Sequence, residues 1–255
     1  TLRATYRLIR IIFSTAAAIT HLFVAVKLLG KPERQVRAGI KRKWAKRVLE
    51  ILRISLHHEG GRPEPPALLV SNHLSYLDAV VYLALAPGMF VIKGEVESWP
   101  ILGWILKLFN PLFINRNSRA DVVRINRETK ELMGEGEQVI IFAEGTTTDG
   151  SKILPLKPAL LEPALQLNGK INAKLYTGVV RFEAPEIDGE TAGTLVCWWG
   201  DMLFYPHFWK LLQLPWIKTN VIIQEMTQEI GEGMTRKKLA ETLQKQMRQN
   251  FEPIK

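Results

Sequence analysis

One short apolar run constrains the fold of this chain more than any other feature. Residues 67–70 (Ala-Leu-Leu-Val) are apolar without alternation, which predicts a strand buried on both faces, as in a parallel sheet. A polar turn, residues 72–78, follows, and residues 79–86 then predict a helix. Open α/β sheets bind their ligands at the carboxyl ends of their strands, so we expect a functional site at this turn.

The turn holds two residues that can act together. Asp78 lies five positions after His73 and can fold back to one imidazole nitrogen. That contact would fix the tautomer of the ring and leave its other nitrogen free as a base. In an equally weighted structural interpretation, His73 caps the turn and Asp78 caps the helix. Ser75 is a further candidate, as a nucleophile, but the G-x-S-x-G pattern is absent around it.

The remaining pattern alternates strands with helices. Apolar runs predict strands at residues 89–93, 113–114, 138–142, 174–182 and 194–199. Helices are predicted over residues 120–134 and in a final amphipathic segment capped by Thr235. We therefore predict an α/β fold whose central, mostly parallel sheet is flanked by helices. The single Cys197 excludes an intramolecular disulfide and suits a reducing compartment, and the sequence has no zinc-spaced cluster of Cys and His.

The positive charge is concentrated at one end of the chain. Residues 1–58 hold 13 Lys and Arg and two acidic residues, whereas the remainder has a net charge of −2. The same segment is apolar over residues 8–29, although its uncharged part, residues 11–26, is shorter than the roughly 18–20 residues that span a bilayer. This combination favours an uncleaved anchor on an anionic membrane surface over a nucleic-acid-binding arm.

A second helix, predicted over residues 33–55, follows a break at residues 30–32. It aligns Val36, Ile40, Trp44, Val48 and Ile51 on one face and places Lys and Arg on most of the rest. Such a helix can lie in a membrane interface, or it can be an ordinary packed helix with a solvated charged face. Residues 60–66 are rich in Gly and Pro and form a linker. We predict membrane-anchoring helices at 1–58 and an enzymatic domain at 59–255.

Three blocks of this sequence resemble the motifs of the glycerolipid acyltransferases. Residues 72–78 are similar to the family's N-H-x-S-x-x-D motif, and residues 111–116 (Pro-Leu-Phe-Ile-Asn-Arg) to its F-I-x-R block. Residues 141–147 are similar to its F-P-E-G-T block, with Ala143 in the proline position. Residues 177–181 depart from the family's proline-containing motif at that place. Residues 199–209 resemble a segment of the bacterial lysophosphatidate and lyso-ornithine-lipid acyltransferases.

The resemblance implies roles for individual residues. His73 would be the base and Asp78 its orienting partner, without an acyl-enzyme. Arg116 would bind the phosphate of the acceptor, with Lys93 as a second cation. Glu144 and Gly145 would position the acceptor or have a structural role, and Glu144 could approach a phosphate only through a cation or proton. In the alternative interpretation Arg116 is a surface charge and residues 144–146 are a capped turn.

The resemblance also implies a reaction and its participants. An acyl group would move from acyl-CoA or acyl carrier protein to the hydroxyl of a lysolipid at the cytoplasmic face of a membrane, without a cofactor. Because Arg116 and Lys93 suit a phosphomonoester, lysophosphatidate is the expected acceptor. The alternatives are a lyso-ornithine lipid as acceptor or, in a different class of function, a non-catalytic membrane scaffold that retains the fold.

Overall fold

A computed structural model describes residues 2–99, 102–115, 117–167 and 171–254. The strands in these ranges are β1 (Ile54–Gly60), β2 (Ala67–Ser71), β3 (Met89–Lys93), β4 (Leu112–Ile114), β5 (Gln138–Phe142), β6 (Lys174–Glu183) and β7 (Ile217–Glu225). The α-helices are α1 (Leu2–Phe23), α2 (Glu33–Leu52), α3 (Leu77–Leu85), α4 (Leu102–Phe109), α5 (Arg119–Gly134), α6 (Ala192–Leu195), α7 (Phe204–Leu211) and α8 (Arg236–Gln249). A π-helical turn, Val24–Leu28, extends α1, and 3₁₀ turns lie at Gly94–Ser98, Pro158–Gln166 and Thr227–Glu229.

The seven strands form one sheet in the order β1-β7-β6-β2-β5-β3-β4. Every neighbouring pair is parallel except β6 and β7, which are antiparallel. The chain leaves β2 through α3 for β3 on one side, and later passes from β5 to β6 on the other side of β2. The sheet therefore changes direction at β2, and the carboxyl end of that strand is where such folds place a ligand. The predicted mostly parallel α/β architecture is confirmed.

Both faces of β2 are buried, as its unbroken apolar pattern predicts. Ala67 and Leu69 point into the core beneath α2 and α3, whereas Leu68 and Val70 point into a second core beneath α5 and α8. All four side chains are completely inaccessible to solvent. Two covered faces hold the central strand in a single register, because a shift of one residue would exchange the two sets of side chains.

The environment of α2 differs from the membrane-interface interpretation of this helix. The apolar face of α2 does not lie free for a membrane interface: Ile40, Trp44, Val48 and Ile51 are buried in the same core as the sheet. Lys41, predicted on the solvated cationic face, is buried and donates to the carbonyl of Gly88 at 3.3 Å. The apolar face of α2 therefore packs against α1 and α3, although the helix is rich in Lys and Arg.

The second helix is also shorter than predicted, and the chain enters the sheet before residue 58. The helix ends at Leu52 instead of residue 55, because Arg53 adopts a left-handed conformation with φ of 55° and the chain continues directly into β1. The expected division after residue 58 consequently falls inside a strand that pairs with β7. Residues 54–58 belong to the sheet, and α1 and α2 contribute to its core.

The outer face of α1 is apolar and exposed. The large apolar side chains exposed on this helix are Leu2, Tyr6, Ile9, Ile12, Phe13 and Phe23. The helix and its π-helical extension form the one stretch, within the described ranges, long and apolar enough to cross a membrane, and 22% of its most apolar window is buried. Arg7, which is buried, donates to the carbonyls of Leu212 and Leu214 at 3.1 and 2.6 Å and fastens the helix to the loop before β7.

Strand assignment from sequence failed in three places. Residues 194–199 are not a strand: the apolar run is a single helical turn, α6, followed by a loop whose Val196 and Cys197 are fully buried. Sequence analysis also missed β1 and β7. The burial of β7 alternates from Ile217 to Ile223, so its period of two was present in the sequence. The predicted bounds of β3, β5 and α5 agree with the structure within a residue.

The pairing of β1 with β7 predicts different outcomes for two adjacent glycines. Gly60 has φ of +83°, and a Cβ there would lie 1.9 Å from the carbonyl oxygen of Ile223, whereas a Cβ on Gly61 meets nothing within 4 Å. We expect Gly60→Ala to lower the free energy of unfolding by more than about 2 kcal/mol, and Gly61→Ala to change it by less than about 0.5 kcal/mol. Denaturant unfolding of both variants measures this, and equal midpoints would contradict the assigned pairing.

Candidate active site

The predicted turn begins with an amide that continues the sheet. The Nδ2 group of Asn72 donates to the carbonyl of Val180 at 2.9 Å, and its Oδ1 accepts from the Val180 amide at 2.7 Å. These two bonds extend the pairing of β2 with β6 by one position, through a side chain instead of the backbone. The main chain of residue 72 is thereby free to turn away from the sheet, and His73 emerges at its carboxyl edge.

His73 and Asp78 meet as predicted. The Nδ1 atom of His73 lies 2.7 Å from Oδ2 of Asp78. The same oxygen accepts from the backbone amides of Leu74 at 2.7 Å and Ser75 at 3.0 Å. Asp78 is completely buried in the first turn of α3, and three N–H groups around one oxygen stabilise its negative charge. The carboxylate selects the tautomer with the proton on Nδ1, which leaves Nε2 as the basic nitrogen.

An aromatic ring supports the imidazole from below. Phe142, the last residue of β5, stacks on His73 with ring centroids 4.0 Å apart and an interplanar angle of 8°. The His73 side chain is 18% exposed, so one edge of the ring remains accessible. The Asp78 bond and the Phe142 stack together determine both the rotation and the tilt of the base. Sequence analysis placed Phe142 in a strand and did not assign it to the site.

Glu144 fastens the histidine turn to a neighbouring loop. Its Oε1 accepts from the backbone amide of His73 at 2.8 Å, and its Oε2 accepts from the amide of Leu154 at 2.7 Å. The carbonyl of His73 is held as well, by the amide of Thr148 at 3.0 Å. The parallel register of β2 with β5, in which Ser71 faces Phe142, brings these segments together. The sequence left two roles open for Glu144, positioning of the acceptor and a structural role. Its hydrogen bonds to the two backbone amides are of the kind that a structural role requires.

The environment of Glu144 changes its protonation. Burial raises the pKa of its carboxyl from 4.5 to about 7, although the two backbone hydrogen bonds act in the opposite direction and the nearby Asp78 adds to the rise. The residue is only 3% exposed. Near neutral pH the carboxyl is therefore partly protonated, and it presents less negative charge to an anionic ligand than an ordinary glutamate.

A lysine that the sequence analysis did not assign to the site lies beside Gly145. This glycine has φ of +74°, and a Cβ there would come within 2.6 Å of the Cε and Nζ atoms of Lys157. The backbone amide of Lys157 donates to the carbonyl of Ala143 at 2.8 Å, which holds the lysine against the same turn. Gly145 thus combines a positive φ with the close approach of a neighbouring side chain. The sequence indicated Lys157 only as a cationic residue in the segment that follows the Glu-Gly-Thr block.

The two predicted phosphate ligands are placed unequally. Lys93 ends β3, pairs in register with Ile114 of β4, and forms an ion pair with Glu95 at 2.5 Å. Its side chain is half exposed at the same carboxyl edge of the sheet, two strands from β2. Arg116, which follows β4, lies outside the residues that the structure describes.

An aromatic cluster covers the other side of the turn. The hydroxyl of Tyr76 forms a hydrogen bond with Nδ1 of His207 in α7 at 3.0 Å, and burial lowers the pKa of His207. Phe204 and Trp198 contact the ring of Tyr76, and Trp99 packs against Phe204 with ring centroids 5.6 Å apart. Trp99 joins this cluster, whereas residues 100 and 101 lie outside the described ranges.

The side chains of Ser75 and Cys197 are not placed to react with a substrate. Ser75 is completely buried, so its hydroxyl is not placed to attack a substrate. Cys197 is buried beneath the turn, and burial raises the pKa of its thiol. No group of three or more His, Cys, Asp or Glu side chains that could hold a metal ion occurs among the described residues.

The fold and the site define an α/β protein with a histidine–aspartate pair at the carboxyl edge of a mostly parallel sheet. Residues 53–178 match the model of the Acyltransferase family. The chain is 33% identical over 196 residues to a lyso-ornithine lipid O-acyltransferase of Brucella abortus, covering 75% of this chain and 72% of that protein. This chain belongs to the acyltransferase family.

Two further comparisons agree with this assignment. A 1-acyl-sn-glycerol-3-phosphate acyltransferase of Neisseria meningitidis is 39% identical over 148 residues, which cover 56% of this chain and 56% of that relative. The chain thus matches little more than half of the Neisseria protein. The crystal structure of the 1-acyl-sn-glycerophosphate acyltransferase of Thermotoga maritima has a TM-score of 0.55 at 19% identity, covering 96% of this chain and 97% of that one. It shares the fold.

The raised pKa of Glu144 predicts a pH dependence of stability. A carboxyl whose pKa is higher in the folded than in the unfolded chain stabilises the fold below its unfolded pKa, and this contribution disappears as pH rises through about 7. We expect it to reach at most about 3 kcal/mol. Glu144→Gln should therefore reduce the loss of unfolding free energy between pH 5 and pH 8, measured by denaturant titration. The exposed Glu241→Gln serves as the control, and identical pH profiles for wild type and Glu144→Gln would contradict the assigned pKa.

Proposed function

We propose that this protein is a membrane-associated O-acyltransferase that moves a fatty acyl group from a thioester to the free hydroxyl of a lysolipid. The observation that carries the proposal is the His73–Asp78 hydrogen bond at the carboxyl edge of the sheet, in a chain of the acyltransferase family. An imidazole with one accessible edge and a buried carboxylate partner is suited to general-base catalysis, which typically contributes 10²- to 10⁴-fold in rate.

In the proposed reaction, Nε2 of His73 takes the proton of the lysolipid hydroxyl while the hydroxyl oxygen attacks the thioester carbonyl. The tetrahedral intermediate then releases the thiolate of the donor, which receives the proton from the imidazolium. Asp78 stabilises the positive charge that His73 carries between the two steps. No acyl-enzyme forms, and the proton that leaves the acceptor ends on the thiol of the donor, either acyl-CoA or acyl carrier protein.

For the acceptor we propose lysophosphatidate. Its phosphomonoester carries a charge near −2 and requires cations, which Lys157 beside Gly145 and Lys93 at the end of β3 can supply. Arg116, which follows β4 in the sequence, would be a third cation and a bidentate ligand. The partly protonated Glu144 would hold the turn without strongly repelling the phosphate.

A second acceptor, a lyso-ornithine lipid, is favoured by one observation. The similarity to the Brucella lyso-ornithine lipid O-acyltransferase extends over 196 residues, against 148 for the Neisseria relative named for 1-acyl-sn-glycerol-3-phosphate. The scaffold alternative has less support, because a scaffold needs neither the Asp78 hydrogen bond nor the Phe142 stack on His73.

We propose that residues 1–58 attach the enzyme to the cytoplasmic face of a membrane, with α1 as the inserted element. The exposed Ile12 and Phe13 supply an apolar face, while Arg7 keeps the helix fastened to the loop before β7. A helix held along the protein in this way would lie in one leaflet with its apolar face in the lipid. Residues 59–255 would then carry the chemistry, with β1 contributing to their sheet.

The proposed mechanism predicts that His73→Ala loses acyl transfer. Without the imidazole no side chain accepts the proton of the hydroxyl, so we expect the rate to fall by about 10²- to 10⁴-fold. Release of thiol from acyl-CoA in the presence of mixed lysolipids measures the reaction. His57→Ala is the matched control, because His57 is 69% exposed in β1 and should keep full activity. Substantial transfer by a folded His73→Ala protein would rule out the mechanism.

The choice of acceptor is tested with a panel of lysolipids and the wild-type enzyme. We expect lysophosphatidate to be acylated with the highest kcat/KM. Lys157→Gln should then raise KM for lysophosphatidate by about 10-fold or more, since a charge-assisted hydrogen bond contributes about 1.5–3 kcal/mol. Lys152→Gln, an exposed lysine five residues earlier, is its control. Acylation of lyso-ornithine lipid without acylation of lysophosphatidate would overturn the acceptor and leave the reaction class intact.

A further inference from the structure

A small groove lies between α1 and α2, away from the catalytic turn. Its volume is about 200 Å³. Ala17 and Ala18 of α1 form one wall, and Ile40 and Trp44 of α2 form the other. The indole of Trp44 donates to the hydroxyl of Thr15 at 2.9 Å, which ties the two helices together beneath the groove. The small side chains of α1 leave this space open, although the helices are in contact.

The rim of the groove is cationic. Lys43 and Arg47 lie one turn apart on α2 and both line the groove, with Ser14 and His21 facing them from α1. No acidic side chain lines it among the described residues. Arg47 has an ion pair with Glu50 at 2.9 Å, which neutralises part of its charge, whereas no ion pair of Lys43 occurs within the described part of the chain. Two cations and a hydroxyl around a cavity of this size suit a phosphate group.

The surroundings of the groove are apolar and exposed. Ile12 and Phe13, just before Ser14, are exposed on the outer side of α1, and so is Phe23 beyond His21. A ligand whose phosphate lay between Lys43 and Arg47 could therefore extend apolar chains over this surface. The groove is smaller than the roughly 300–1,000 Å³ of pockets that enclose a whole ligand, so it fits a phosphate and its glycerol and leaves acyl chains outside.

We propose that this groove binds the head-group phosphate of an anionic phospholipid. The inference rests on the proposed membrane attachment but adds a discrete site to it. Diffuse attraction would involve every basic residue of α2 near the surface about equally, whereas a site depends on those that line the groove. A zwitterionic head group fits less well, because its own cation would meet Lys43, Arg47 and His21.

Substitution of two lysines of α2 distinguishes binding in the groove from diffuse electrostatic attraction to the membrane. Lys43 lines the groove, and Lys46, three residues later, is exposed on the same helix and does not line it. Binding of the full chain to vesicles of phosphatidylcholine with phosphatidylglycerol is measured for Lys43→Gln and Lys46→Gln. We expect Lys43→Gln to weaken binding by more than about 20-fold and Lys46→Gln by no more than about fivefold, the effect of one diffuse charge. Equal losses would overturn the site.

A second variant tests the groove without a change in charge. Ala17→Phe fills the space between the helices from the exposed side of α1. We expect it to lower binding to vesicles that contain phosphatidylglycerol as much as Lys43→Gln does, with binding to pure phosphatidylcholine unchanged. Wild-type selectivity for anionic vesicles in Ala17→Phe would overturn the site.

Two further results show whether the groove binds a lipid phosphate or the free anion, and whether a negative result concerns the groove alone or the membrane attachment as well. If wild type and Lys43→Gln bound the anionic vesicles equally, and inorganic phosphate bound to the wild type alone, the groove would be a site for the free anion, and the lipid assignment would be wrong. If the wild-type chain bound neither kind of vesicle, the membrane attachment and the site would both be overturned. Acyl transfer to a lysolipid dispersed in detergent, measured in parallel, reports separately on the catalytic proposal.

Discussion

One carboxylate oxygen determines the geometry of the turn that carries His73. Oδ2 of Asp78 accepts from the imidazole of His73 and from the amides of Leu74 and Ser75, all within 3.0 Å. A buried N–H group without an acceptor costs about 1–3 kcal/mol, so the turn cannot rearrange without losing several such bonds together. Because Asp78 is also in the first turn of α3, the position of the helix and the orientation of the base depend on one another.

Distant segments then hold this turn against the sheet. Val180 of β6 pairs with the side chain of Asn72, Glu144 after β5 accepts from the amide of His73, and the amide of Trp198 donates to the carbonyl of Leu74 at 2.8 Å. Each partner comes from a different part of the chain, and together they leave the imidazole little freedom to rotate. Such preorganisation is what a base needs if it is to meet a hydroxyl in the reactive geometry.

The helical pair at the start of the chain is part of the same folded unit. Its apolar residues were expected to face lipid, but only those of α1 are left partly exposed, while α2 uses its apolar face to cover α3 and the sheet. Sequence alone could not separate these uses, since lipid and a protein core select the same side chains. Removing the first 58 residues would consequently expose the core as well as remove the proposed anchor.

The sequence by itself determined the elements whose physical signal is local. An unbroken apolar run made β2 a buried central strand, and the spacing of His73 and Asp78 brought them together across one turn. These conclusions need only the conformational preferences of a few consecutive residues, so no knowledge of the rest of the chain was required.

Only the tertiary structure decided which distant groups meet. Strand register and helix packing bring together residues that are distant in the sequence. They place Phe142 on His73, Glu144 on backbone amides, Lys157 beside Gly145 and His207 beside Tyr76. The pairing of β1 with β7 has the same origin, since it joins segments more than 150 residues apart. Local pattern carries no information about such pairings, because they are selected by the free energy of the whole packed core.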